Sequence, residues 1–135
     1  MEPKAKTIAE RFGFRDPELS TPRHDEIMLW LDENIEKIYD RLKRFFPGRS
    51  RVVWEKPIMS GAYIVGFADM SVQSTYSQID YFEVKPAIPS LGEVLRQIQM
   101  YRQYGNREDN WTIVTPDDRF LKMLASQKIG LIKCP

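Results

Sequence analysis

Apolar residues recur at helical spacing through TPRHDEIMLWLDENIEKIYDRLKRFFPG: Ile27, Trp30, Leu31, Ile35, Ile38, Leu42 and Phe45 share one stripe. Thr21 is suited to cap such a helix, with Pro22 at its first position, where a missing N–H costs nothing. Pro47-Gly48 is the expected stop. Upstream, residues 1–20 are polar, contain Pro3 and Pro17 and show weak periodicity, which fits a short helix or an N-terminal arm.

The middle of the chain changes period. RVVWEKPIM and AYIVGFADMSVQS read as strands joined at Ser60-Gly61, and a second turn around Ser74–Ser77 leads into QIDYFEVKP. Ser90 and Glu93 have capping-box spacing and open a helix that runs to about Tyr104, where Gly105-Asn106 stops it. WTIVTP is a further strand, Thr115-Pro116 opens a helix over DDRFLKMLASQK, and LIKC after Gly130 is a last short strand. The expected order is α-β-β-β-α-β-α-β, an α/β sandwich with a central mixed sheet flanked by helices.

A chain of 135 residues, 42% hydrophobic and 29% charged, fits one soluble domain spanning 1–135. It holds no apolar run near the ~18 residues a membrane span needs. MEPKAKTIAERFGF lacks the apolar core of a secretory signal, so a cytoplasmic protein is the default expectation. Cys134 is the sole cysteine, which excludes an internal disulfide and a cysteine-rich zinc site. Net charge is only +1, yet six basic residues fall between Arg41 and Lys56 against one acid, Glu55. Arg44, Arg49 and Arg51 of that stretch are candidate phosphate contacts, a solvated helix end being the plainer alternative.

Candidate chemistry centres on the third strand. Alternation sends Ile79, Tyr81, Glu83 and Lys85 to one face, so a carboxylate and an ammonium project together from a buried-looking segment. An edge ion pair would explain that much. Asp69, however, stands fourteen residues upstream on the preceding strand and can approach Glu83 if the two strands pair. Adjacent carboxylates repel unless a cation lies between them, and oxygen ligands suit Mg²⁺ or Mn²⁺. Asp80 points to the opposite face and is a poor substitute.

Gly66-x-x-Asp69, Glu83-Val84-Lys85 and Gln97-x-x-x-Tyr101, in this order and on these elements, resemble the PD-(D/E)XK nuclease superfamily, in particular its RecB-like and phage-exonuclease-like branch. The resemblance covers about residues 24–116; Ala68 stands where the family often has proline. It implies a restriction-endonuclease-like core and a Mg²⁺- or Mn²⁺-dependent nuclease acting on nucleic acid, with DNA the expected substrate. It further implies that Asp69, Glu83 and the backbone carbonyl of Val84 hold the metal, and that Lys85 stabilises the transition state. Gln97 and Tyr101 would orient the lysine or contact the nucleic-acid backbone. An acid from the N-terminal helix often completes such sites; Glu26 is the candidate and Glu55 its rival. His24 falls near the apolar face, where it would either assist the site or serve as a hydrogen-bonded structural histidine. Two other readings stand beside this one: a nuclease-fold module that binds nucleic acid or a partner without cleaving, and a Holliday-junction resolvase-like endonuclease, which would act as a homodimer.

Overall fold

The computed structural model describes residues 21–135, so the arm expected over 1–20 lies outside the described residues. Helix α1 spans Pro22–Arg41 and a 3-10 turn follows at Arg49–Arg51. Strands β1 (Val52–Ser60), β2 (Tyr63–Thr75) and β3 (Gln78–Val84) come next, then α2 (Leu91–Arg102), β4 (Asn110–Thr115), α3 (Leu121–Ser126) and β5 (Ile129–Lys133). The sheet runs β1-β2-β3-β4-β5, its first pairs antiparallel and β3-β4-β5 parallel. Each parallel step crosses over through a helix, as parallel pairing requires. The α/β class and the mixed sheet agree with the sequence pattern.

Two apolar layers lie on opposite faces of the sheet. Ile27, Met28, Leu31, Ile35 and Ile38 of α1 pack against Met70, Val72, Phe82, Val84 and Val114. Val94, Ile98 and Tyr101 of α2 and Leu124 of α3 pack with Tyr81, Trp111, Ile113 and Ile129 on the other side. Because side chains alternate, a strand buried on both faces reads as a continuous apolar run. IVT in β4 and YF in β3 have that character.

Several element ends differ from the pattern; the last strand, for one, begins at Ile129, so Gly130 lies inside the strand it was expected to precede. The first helix stops at Arg41, well before Pro47-Gly48, and Phe45 is exposed. Lys43 adopts φ 56°, Arg44 N donates to Tyr39 O at 3.0 Å, and Lys43 N donates to Asp40 O at 3.0 Å. This is a Schellman cap with lysine in the left-handed position that glycine usually fills, so composition did not announce it. The third helix starts at Leu121, not Asp117. Asp117 accepts from the backbone N of Arg119 at 3.2 Å and from its guanidinium at 2.8 Å and 2.9 Å, a local turn that competes with helix. The second helix ends at Arg102, a little short of Tyr104.

One irregularity positions the site. Trp54, Met70 and Val72 face α1, whereas Ile58 and Ala68, at positions of the same parity, join the α2 layer. The β1-β2 pair therefore turns over between these residues. The inversion falls at Glu55, whose φ is 53°, and at Asp69, which lies opposite it between the pairs Trp54–Met70 and Lys56–Ala68.

Candidate functional site

Asp69 and Glu83 sit one step beyond the Met70–Phe82 pair, where β2 and β3 cease to pair. Each carboxylate fills the ladder position that separation leaves open. Glu83 Oε1 accepts from the backbone N of Asp69 at 3.0 Å, and Asp69 Oδ2 accepts from the backbone N of Val84 at 2.7 Å. Both side chains are buried, at 1% and 3% exposure. Extending the register of the two pairs puts Glu55, Asp69 and Glu83 in one row across three strands, and Glu55 is buried as well.

Around this row the other sequence motifs meet. Lys85 Nζ donates to Gln97 Oε1 at 2.8 Å and lies 3.8 Å from Glu83 Oε2. The ammonium is therefore held by α2 more closely than by its strand neighbour. Backbone pairing continues through Lys85, whose N donates to Val114 O at 2.9 Å, which fixes its direction. Tyr101, one turn after Gln97, lies over Gly66: a Cβ there would overlap its hydroxyl and stand 2.6 Å from Cε1. The glycine gives the tyrosine room against β2, while Gln97 on the same helix holds the lysine.

The acid expected from α1 is placed differently. Glu26 is 66% exposed and pairs with Arg23 at 3.2 Å, away from the carboxylate row. His24 takes the inward position: its Nε2 lies 3.2 Å from Asp69 Oδ1, and its Nδ1 lies 3.7 Å from Asp25 Oδ1. The cap explains this. Thr21 Oγ1 accepts from His24 N at 3.1 Å, starting the helix so that residues 24, 27, 28 and 31 share the buried face. That offset was readable from the stripe, since extending it backward meets 24 and not 26. Nothing in the sequence marked Glu55's left-handed backbone.

The basic stretch is partly committed to the fold. Arg49 donates to Asp32 Oδ1 at 3.2 Å and to its carbonyl at 2.6 Å, while Trp54 Nε1 donates to the same carboxylate at 2.9 Å. Arg44 lies 3.9 Å from Asp80, which is buried on the α1 side and accepts from Tyr39 and Asn110. Burial of Tyr39, with its hydrogen bond to Asp80 second, raises its hydroxyl far above its usual range. Arg51 is exposed.

The donor chemistry of the row suits a hard divalent cation: carboxylate oxygens from Asp69 and Glu83, with one imidazole beside them. In this conformation one oxygen of each carboxylate turns to a backbone amide. No three His, Cys, Asp or Glu side chains are grouped as metal ligands among the described residues. Also among the described residues, no helix is long and apolar enough to cross a membrane. No family model, curated protein or solved structure matches the chain.

Proposed function

We propose that this protein is a metal-dependent nuclease with a restriction-endonuclease-like core, hydrolysing phosphodiester bonds, with DNA as its substrate. The observation that carries the reading is convergence. Where β2 leaves β3, the Glu83 carboxylate accepts from Asp69 N and the Asp69 carboxylate from Val84 N, and Lys85 stands beside Glu83 in the grip of Gln97. A purely structural ion pair would need neither Gln97 nor the second carboxylate.

Asp69, Glu83 and the Val84 carbonyl would hold Mg²⁺ or Mn²⁺, with His24 adding a nitrogen next to Asp69. Such an ion is a Lewis acid, which lends charge to phosphoryl oxygens and acidifies water. The chain's own part is preorganisation. Gln97 aims the Lys85 ammonium, and that fixed charge counters the negative charge that grows on the phosphoryl oxygens in the transition state. His24 holds Asp69 from the helix side. Burial of the row keeps bulk water from diluting these charges.

A second reading, a nuclease-fold module that binds without cleaving, draws on the same hydrogen bonds, because Asp69 and Glu83 also serve as plugs for backbone donors. One experiment separates the two. Linear, circular and branched DNA are incubated with the protein, with and without Mg²⁺, alongside Asp69→Asn. The nuclease reading expects Mg²⁺-dependent cleavage that Asp69→Asn abolishes, and a Mg²⁺-induced rise in Tm that the variant also loses. DNA that is bound but intact under every condition would establish the binding module.

A further inference from the structure

A pocket of about 180 Å³ opens between β1 and the end of α2. Its floor is aromatic. Tyr81 stacks on Trp111 at 4.4 Å between ring centroids, and Tyr101 stacks on the same indole at 5.6 Å. All three rings are buried, whereas Met59 and Tyr104 at the pocket's rim are 42% and 41% exposed. Lys56 on β1 and Arg102 on α2 bring cationic side chains to the lining, the latter also donating to the carbonyls of Gln127 and Lys128 at 2.9 Å and 2.7 Å. The one carboxylate of the lining, Asp109, is committed to backbone donors: it accepts from Ile79 N of β3 at 2.9 Å and from Asn106 N of its own loop at 3.0 Å.

We infer that this pocket seats a nucleobase of an unpaired strand, next to the phosphate that the carboxylate row addresses. An aromatic-floored slot with an exposed tyrosine at its rim and the cationic side chains of Lys56 and Arg102 in its lining matches a nucleobase with its attached phosphate. Position supports the pairing. Tyr81 and Glu83 share a face of β3 two residues apart, about 7 Å along the strand. That step is comparable to the one between successive nucleotides of an extended strand. Helix α2 serves both places: Tyr101 bounds the pocket, and Gln97, one turn earlier, holds Lys85 beside Glu83. A base inside a duplex is stacked and paired, so the slot favours single-stranded or frayed ends. The location beside a cleaved phosphate rests on the nuclease reading; the pocket's affinity for a base does not.

Trp111 reports the pocket directly, because Trp30 and Trp54 pack in the opposite layer. The full chain, in EDTA, is titrated with 2′-deoxyadenosine 5′-monophosphate and separately with 2-deoxyribose 5-phosphate while indole fluorescence is followed. The expected result is saturable quenching by the nucleotide, at least about fivefold weaker for the sugar phosphate and for Tyr104→Ala, in line with the loss of one stacking partner. Equal response to both probes, or none to the nucleotide, would overturn the proposal. Because no metal is present, quenching without any later cleavage would leave the pocket standing and sink the nuclease reading. Cleavage without quenching would do the reverse.

Discussion

Gly66 shows how much a single residue decides here. Tyr101 occupies the space a side chain would need, and stacking on Trp111 keeps the ring from yielding. Gly66→Ala is therefore expected to cost about 1–3 kcal/mol of stability, the usual penalty of overpacking. Chemical denaturation of the single variant measures this. In a Tyr101→Ala background the added methyl should cost only a few tenths, because its obstacle is gone. A full penalty in both backgrounds would place the strain elsewhere. At this scale the sequence was legible where residue spacing carried the meaning. Asp69, Glu83 and Lys85 meet as strand alternation and hairpin spacing implied, and Gln97 reaches Lys85. Glu26 and His24 were separable by helical phase alone. Glu55 was not legible, because a left-handed backbone at a non-glycine residue inside a strand leaves no compositional trace.

At the scale of elements, amphipathic stripes and turn residues located every described helix and strand, while the ends depended on local competition. The Ser60-Gly61 turn shows the readable kind: Gly61 has φ 59°, in the region that favours glycine. Lys43 shows the unreadable kind, carrying a left-handed cap on an ordinary residue. Lys43→Gly should keep the Schellman bonds, remove the side-chain strain and stabilise the protein by roughly 0.5–1 kcal/mol. Thermal unfolding of the variant checks this, and a lower Tm would mean that Lys43 holds a contact worth more than its backbone strain. The inversion of β1 and β2 at Glu55 and Asp69 is also an element-scale feature. It requires both strands to turn over together, and alternation patterns read one strand at a time cannot reveal it.

For the whole molecule, two buried layers and a buried polar row imply a definite alkaline limit. Burial, with the Asp109 carboxylate second, pushes the Tyr81 hydroxyl up to about 12. The unfolded chain's tyrosine titrates near 10. The folded state thus holds this proton more tightly. The resulting stability is fully present below about pH 10 and is lost as pH rises through 12. Tyr81→Phe should flatten that part of the stability profile, and an unchanged slope between pH 10 and 12 would contradict the assignment. Nuclease action by this site requires Lys85 to act on substrate and not merely on Glu83. If Lys85 only paired with Glu83, removing it would leave a buried carboxylate without that ammonium, and stability would fall by about 3–5 kcal/mol. If it stabilises the transition state, Lys85→Ala should keep its Tm and DNA binding while turnover falls by about a hundredfold or more. The most direct measurement is the Mg²⁺-dependent cleavage rate of purified, folded Lys85→Ala beside the wild type. A stable, DNA-binding, nearly inactive protein is expected; a folded variant that cuts DNA at the wild-type rate would remove Lys85 from the mechanism.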